Sequence, residues 1–375
     1  MRNRTRTLAL ALGLLLVLSG LVVGWWAPTD EPAREPEASL ALVEDIVERR
    51  EEAADIELDD AEPEPEPELS EFDQFRASLD LSDAPEPAPE LISREDFDLY
   101  VNVTGEYLQY IFDKVGYTGD KIESGETTAI PPLIVVSISK GWADDQTVQY
   151  KKSMFYRVLL PLVLYENDAV LAERESLEAL ATARTNGAPI PAADLEWLRD
   201  LALRYKVMKA DDPGDVGDEE LAELLLRVDM VPPSMALGQA AYESGYATSR
   251  FAHTGNALFG QWDWSSDAIK PLEQRSGMGN YGIKAFQYPI DSVRAYLWNL
   301  NTHRSYGDFR RLRAEQRGSN QGQFEFDGLA LAGTLLAYSE RGEAYTKDLQ
   351  GMMSYNRLHL ADRVRLLRGE PIFFD

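Results

Sequence analysis

The apolar pattern at the start of the chain differs from that of the rest. Every residue from Leu8 to Trp26 is uncharged, and most are apolar. As a helix this run would cover roughly 28 Å, close to the hydrocarbon thickness of about 30 Å, whereas the apolar core of a cleaved signal peptide has about 7 to 15 residues. Arginines precede the run, which favours an orientation with the N-terminus inside. Two tryptophans end it, as is typical of a membrane interface. We predict an uncleaved signal anchor over residues 1–29, with a cleaved export signal as the alternative.

Apolar residues recur at helical spacing from about residue 93 to the end of the chain. The stretches that predict helices are residues 150–180, 193–207 and 218–228. Pro161 is expected to kink or divide the first of them. The β-branched residues 133–138 predict one strand. The pattern therefore predicts an α+β protein that is mostly helical, with a helical region over residues 93–215 and a second domain over residues 216–375.

The segment between the anchor and residue 93 differs from the rest of the chain in its charge. The 375-residue chain has a formal net charge of −27, and residues 30–90 hold 23 Asp and Glu against four Arg, a net −19. Two Pro and Glu repeats lie in the same stretch, and few aromatic residues are present to form a core. Such a composition is typical of disordered chains. We predict that residues 30–92 form a disordered acidic linker that tethers the remainder to the membrane, with transient helix in the amphipathic residues 41–50 as the alternative to a plain spacer.

Composition also excludes several classes of function. The chain has no cysteine and three scattered histidines, so thiol chemistry is excluded and a transition-metal site is disfavoured. The acidic balance disfavours a nucleic-acid partner, because no net positive charge is available to replace phosphate counterions. No phosphate-binding loop, zinc protease motif or serine hydrolase elbow is present. The sequence therefore predicts a protein without a metal or cofactor and without a nucleic-acid partner.

Residues 231–262 carry the chemistry of interest. Pro233 suits the first position of a helix and Gly245 suits a helix end, which places Glu243 in the last turn. A carboxylate near the negative end of a helix, with aromatic residues close in sequence, should have a raised pKa. A raised pKa is what a general acid requires at neutral pH. On composition alone, an exposed glutamate that merely ends a helix fits the same pattern.

The string QAAYESGYATSRFAHTGNALFGQW, residues 239–262, resembles the signature of the glucosaminidase domain of glycoside hydrolase family 73. Residues 281–313 and 337–358 resemble later parts of that domain, in particular its Bax-type branch in Gram-negative bacteria. The resemblance implies a lysozyme-like α+β domain with a small β-lobe. It implies cleavage of the β-1,4 bond after N-acetylglucosamine in peptidoglycan. The predicted anchor, which the resemblance does not cover, predicts a single span in the inner membrane with the body in the periplasm.

The resemblance also implies roles for individual residues. Glu243 would be the acid that protonates the leaving oxygen, and Tyr338 would orient the N-acetyl group or the catalytic water, although a core tyrosine is the other interpretation. The remaining candidates for the substrate cleft are Ser249, Asn256, Phe259, Gln261, Tyr281 and Tyr345. All of these except Gln261 also have a structural interpretation: Phe259, Tyr281 and Tyr345 as packing residues, Asn256 as a turn residue and Ser249 as support for the helix end.

A second catalytic group is not identified by the sequence. Asp263, Asp267 and Glu273 lie in the expected β-lobe, and assistance by the substrate's own N-acetyl group is a further alternative.

Two other functions stay open. The fold also suits a cell-wall-binding module without activity, and a lytic transglycosylase shares the fold and the single acid. The presence of Glu243 favours an enzyme over the binding module, because a binding module has no need of a carboxylate there. The chemical ends of the products distinguish a hydrolase from a lytic transglycosylase.

Overall fold

The computed structural model describes residues 36–54, 72, 81–94, 96–139, 141–272, 281–319 and 326–375. The predicted anchor in residues 1–29 lies outside this part of the chain. No helix within the described ranges is long and apolar enough to cross a membrane.

Helices dominate these residues, with eight short strands among them, which confirms the mostly helical α+β class. The helices are α1 Pro36–Ala54, α2 Gly105–Lys114, α3 Gly119–Ser124, α4 Val148–Thr185, α5 Ala192–Arg204, α6 Asp218–Arg227, α7 Pro233–Ser244, α8 Arg250–Gly255, α9 Pro289–Thr302, α10 Gly307–Ser319, α11 Gly328–Ala332 and α12 Glu343–Tyr355. The strands are β1 Glu90–Ser93, β2 Asp98–Val101, β3 Ala129–Ile130, β4 Leu133–Val135, β5 Trp262–Asp263, β6 Gly282–Ile283, β7 Arg365–Leu366 and β8 Ile372–Phe374. Two 3₁₀ helices cover Arg304–Tyr306 and Leu358–Arg363.

The three long helices and the strand that the apolar pattern predicts are present as α4, α5, α6 and β4. Pro161 does not divide the first of these helices, because α4 continues as a single helix through it, and a kink there stays a prediction. The proline is buried together with its neighbours Leu160 and Leu162. Packing on both sides of the proline therefore outweighs the loss of one helical hydrogen bond, about 3 kcal/mol for an unsupported helix.

The largest sheet joins both ends of the described chain. Its strand order is β1-β2-β8-β4, and β8 pairs in parallel with β2 and with β4. The last strand of the chain thus lies between two strands from the region predicted as residues 93–215. Residues on both sides of the predicted domain boundary at 215 also share one hydrophobic core. A smaller second core is formed between the C-terminal half of α4, α5 and α6.

Residues 36–54 differ from the predicted disordered linker, because they form helix α1. Leu42, Val43 and Ile46 are buried against the main core, and the Arg50 guanidinium lies 4.3 Å from the ring centroid of Tyr165 on α4. These apolar residues form a single stripe on an otherwise acidic helix. Residues 81–93 also differ from the linker prediction, since they lead into β1. Residues 55–71 and 73–80 lie outside the described part.

The packing of α1 can be tested by its effect on stability. Val43→Ala removes two buried methyl groups, and we expect it to lower the free energy of unfolding by about 2 kcal/mol. Glu48→Ala on the exposed side of the same helix should change it by less than about 0.5 kcal/mol. Denaturant unfolding of the full chain measures both. Equal stability of the two variants would show that α1 does not pack on the core.

Candidate active site

Helix α7 lies at the centre of the main core, and Glu243 is in its last turn. Residues Pro233 to Ala241 of this helix are all buried. The helix ends at Gly245, whose φ of +62° lies in the left-handed region that favours glycine. The Glu243 side chain itself is only partly buried. The predicted helix start and helix end are therefore confirmed, and they place one carboxyl at the boundary between core and solvent.

Tyrosines surround the Glu243 carboxyl. The hydroxyl of Tyr345 forms a hydrogen bond with it, and the charge of Glu243 contributes to the raised pKa of four tyrosines: Tyr296, Tyr306, Tyr338 and Tyr345. The rings of Tyr338 and Tyr345 stack with centroids 5.8 Å apart. In the part of the chain that the structure describes, Glu243 forms no ion pair. The carboxyl is therefore placed among aromatic rings and hydroxyl groups rather than beside a cation.

This environment raises the pKa of Glu243 from 4.5 to about 7. The main cause is burial, which disfavours the charged form, and the hydroxyl of Tyr345 opposes the shift by stabilising the carboxylate. Near neutral pH a large fraction of Glu243 therefore carries a proton. The raised pKa that the sequence predicts is present, but burial among tyrosines is its main cause rather than the helix end.

A buried amide sets the direction of the hydrogen bonds around Tyr345. Gln239 lies one helical turn before Glu243 and is fully buried. Its Nε2 donates to the hydroxyl oxygen of Tyr345 at 2.8 Å, and its Oε1 accepts from the hydroxyl of Tyr296 at 2.5 Å. Because Tyr345 accepts from the amide, its own proton is available for the Glu243 carboxylate. Gln239 thus holds Tyr345 as a donor.

The loop after α8 covers the carboxyl from the other side. Gly260 has a φ of +61°, and a Cβ placed on it would lie 3.1 Å from Oε2 of Glu243. The hydroxyl of Tyr338 donates to the carbonyl oxygen of Phe259 at 2.7 Å, which fixes the loop one residue earlier. Both the positive φ and the close approach favour glycine here.

Three predicted cleft residues have structural contacts. Ser249 caps α8, accepting from the N–H of Ala252 at 3.2 Å. Asn256 ends the same helix at a φ of 47°, and its Nδ2 donates to the carbonyl oxygens of residues 286 and 287. Phe259 is buried, with its ring stacked on Tyr296 at 4.0 Å. These contacts explain why each residue suits its position, and a role in substrate binding stays a prediction.

Two further predicted residues, Gln261 and Tyr281, lie beside the strands β5 and β6. Gln261 follows Gly260, and its Oε1 is buried without a hydrogen-bond donor among the described residues. Tyr281 is 7% exposed and stacks on Trp262 with centroids 5.1 Å apart. Tyr281 and Trp262 belong to the small hairpin of β5 and β6, in which Trp262 pairs with Ile283. This hairpin is the small β-lobe that the resemblance implies.

The two described candidates for a second acid, Asp263 and Asp267, accept hydrogen bonds from neighbouring serines. The Asp263 carboxylate accepts from the N–H and the hydroxyl of Ser265 at 2.9 and 2.8 Å, and these bonds lower its pKa. Asp267 is exposed and accepts from Ser266. Glu273 lies outside the described residues. Within those residues, no cluster of three or more His, Asp or Glu is placed to hold a metal ion.

The sequence analysis did not identify several residues at the site, some of them near Glu243 in the chain and some far from it. Gln239 is four residues before Glu243, so helical spacing placed it on the same face, and that signal was available. Tyr296 and Tyr306 come from α9 and the 3₁₀ helix after it, and nothing in the local pattern distinguishes them from core residues. Trp262 and Trp264 were also not identified, although both lie within four residues after Gly260.

Comparisons with known proteins show the family to which the chain belongs. The family model described as "Glucosaminidase: Mannosyl-glycoprotein endo-beta-N-acetylglucosaminidase" matches residues 219–358, which include α7 and the residues around Glu243. "Protein bax" of Escherichia coli (strain K12) is 34% identical over 214 residues, which is 56% of this chain and 72% of that protein. No solved structure matches the chain. The chain belongs to the Bax-type family of glucosaminidase-domain proteins.

Proposed function

We propose that this protein is a peptidoglycan hydrolase that cleaves the β-1,4 bond after N-acetylglucosamine, with Glu243 as the general acid. The observation that carries the proposal is the Glu243 carboxyl itself. It is partly exposed, it lies in a glucosaminidase domain, and its surroundings raise its pKa to about 7. A group with such a pKa can hold a proton at neutral pH and release it to a leaving oxygen.

The contacts around Glu243 support a defined proton path. Protonated Glu243 donates its proton to the glycosidic oxygen while the bond to the anomeric carbon breaks, and the carboxylate that remains is stabilised by the hydroxyl of Tyr345. Gln239 keeps Tyr345 in the donor orientation for this step. The second group, which activates water or stabilises the anomeric carbon, is Asp263, Asp267, Glu273 or the acetamido group of the substrate.

Tyr338 supports the site through its single hydroxyl. Its proton is donated to the carbonyl oxygen of Phe259, so toward a substrate the hydroxyl oxygen acts as an acceptor. An acetamido N–H is a donor of the right kind for that oxygen. This extends the predicted role of Tyr338 in orienting the N-acetyl group, and it adds a role in holding the loop that covers Glu243.

The same proposal includes the location of the enzyme. The apolar run from Leu8 to Trp26 would anchor the chain in the inner membrane, and the body would lie in the periplasm, where peptidoglycan is its partner. Protease treatment of intact spheroplasts tests this, since digestion of the body is expected and protection of the body would contradict the location.

Product analysis tests the reaction. The full chain in mild detergent is incubated with purified peptidoglycan, and the reduced products are identified by mass spectrometry. Reducing N-acetylglucosamine ends are expected. Anhydromuramic ends would instead show a lytic transglycosylase, and binding to peptidoglycan without any release would show a wall-binding module. Truncation at residue 92 is unsuitable, because it removes α1 from the core.

The pH dependence of the rate follows from the same carboxyl. Glu243 must be protonated to act as the acid, so kcat/KM should fall as pH rises through about 7. Tyr345→Phe removes the hydroxyl that lowers this pKa, and the fall should therefore move to higher pH. Tyr355→Phe, at the exposed end of the same helix, is the control and should leave the profile unchanged. A shift to lower pH in Tyr345→Phe would contradict the assigned role of Tyr345.

A further inference from the structure

An exposed pair of tryptophans lies on the β5–β6 hairpin. Trp262 is 39% exposed and Trp264 is 62% exposed. Their ring centroids are 6.0 Å apart, and the other neighbour of Trp262 is the buried ring of Tyr281, stacked at 5.1 Å and 20°. Exposure thus increases from Tyr281 through Trp262 to Trp264. We call these three residues the aromatic row.

The aromatic row is joined through the chain to the loop at the candidate acid. Gly260 approaches Oε2 of Glu243, and Trp262 follows it by two residues. The pairing of β5 with β6 fixes Trp262 opposite Ile283, and a bridge between Ile269 and Ile283 fixes the far side of the hairpin. The row therefore lies on a supported element that continues the chain from the loop at Glu243.

Large exposed apolar side chains beside a polar site indicate a ligand with an apolar face. A pyranose ring has one, formed by its C–H groups, and its hydroxyl groups stay free to contact water. An indole ring offers a broad flat surface for such a face. Because Tyr281 already holds Trp262 in place, little side-chain freedom is lost when a ring stacks against the row.

Another exposed tryptophan shows a different arrangement. Trp298 on α9 is 41% exposed, but its indole N–H donates to the carbonyl oxygen of Arg204 at 3.0 Å, and the Lys206 ammonium lies 4.1 Å from its ring centroid. Its ring and its polar atom are thus engaged by the protein itself. Trp298 is therefore a matched control for a tryptophan of similar exposure that does not adjoin the candidate acid.

We propose that the aromatic row binds pyranose rings of the glycan strand beyond the bond that Glu243 cleaves, with Trp264 as the outermost contact. The proposal rests on the proposed function, and it adds a preference for long glycan strands over short ones. A short fragment fills only the subsites at Glu243, whereas a long strand also reaches Trp264. The row contacts substrate in the ground state and in the transition state alike, so it should lower KM without changing kcat.

Binding of defined oligomers tests the row without cleavage. The full chain with Glu243→Gln is titrated calorimetrically with the β-1,4-linked hexamer of N-acetylglucosamine and with its dimer. Trp264→Ala should weaken binding of the hexamer by about tenfold, and Trp264→Phe should restore part of it. Trp298→Ala should bind the hexamer within about twofold of the parent. The advantage of hexamer over dimer should shrink in Trp264→Ala.

The outcomes separate this proposal from the proposed function. Unchanged hexamer binding in Trp264→Ala, or an equal loss in Trp298→Ala, would overturn the role of the row even if the wild type cleaves peptidoglycan. Loss of binding in Trp264→Ala alone supports the row even if the wild type cleaves nothing. Absence of any binding by the folded parent would overturn both proposals. Far-ultraviolet circular dichroism and the melting temperature confirm that the variants are folded.

Discussion

Replacing Glu243 with Gln is expected to lower the rate of peptidoglycan cleavage by about 10²- to 10⁴-fold, the usual contribution of a general acid. Glutamine keeps the size and the hydrogen-bonding capacity of the side chain but has no proton to give to the leaving oxygen. Release of reducing ends by the full chain, measured below about pH 6, where wild-type Glu243 is protonated, gives the ratio. The residual rate should also lose its fall near pH 7, because the group responsible is gone.

The fold should survive this substitution. Burial raises the pKa of Glu243, so at high pH its charge destabilises the folded state, and Gln removes that charge. The melting temperature of Glu243→Gln should therefore be equal to or above that of the wild type at about pH 8. Glu343→Gln is the control for activity, since Glu343 is exposed and paired only with Lys347. If Glu243→Gln keeps more than about a tenth of the wild-type rate, another group must be the acid.

Local chemistry made Glu243 predictable. The start of α7 is set by Pro233 and its end by Gly245, and both signals act within a few residues of the positions they fix. Tyr345 and Tyr338 were found only through the resemblance. Gln239 donates to Tyr345 and accepts from Tyr296, which lies 57 residues away in the chain. Periodicity carries no information on which helix faces which. The hydrogen-bond network around the acid therefore required the structure.

Two features of the fold were hidden for different reasons. Helix α1 was read as disordered because its composition is dominated by acidic residues, while the few apolar positions that bury it occupy one stripe. The position of β8 was hidden because three apolar residues near the end of the chain pair with strands more than 200 residues earlier. The average composition of a segment does not reveal a few apolar residues on one face of a helix. The sequence of a short strand does not indicate which strands it pairs with.

Asp362 is expected to be the residue on which the stability of helix α7 depends most. It is buried, it accepts from the N–H of Ser234 at 2.8 Å and from its hydroxyl at 2.6 Å, and the backbone of Gly328 also acts on it. Asp362→Ala leaves these buried donors without an acceptor, at about 1–3 kcal/mol each, so the free energy of unfolding should fall by about 3–5 kcal/mol. Activity should fall with it, because Glu243 is on the same helix.

A second aspartate provides the matched control for this loss. Asp327 caps α11 by accepting from the N–H of Ala330 at 3.0 Å, but it is exposed, so water can replace it. Asp327→Ala should cost about 0.5–2 kcal/mol. Denaturant unfolding of the full chain compares the two variants. Equal losses would show that burial of the Asp362 contacts does not determine their contribution.

The Asp362 carboxyl should also make stability depend on pH. Burial raises its pKa from 3.8 to about 7, against the hydrogen bonds from Ser234 and Gly328, which lower it. The folded chain therefore holds this proton more tightly than the unfolded chain, and the resulting stabilisation is complete below about pH 4 and is lost as pH rises through about 7. Asp362→Asn has no such proton. The stability of the wild type relative to Asp362→Asn should thus decrease between about pH 5 and about pH 8, and a difference that stays constant or grows over that interval would show that Asp362 is already ionised at the lower pH.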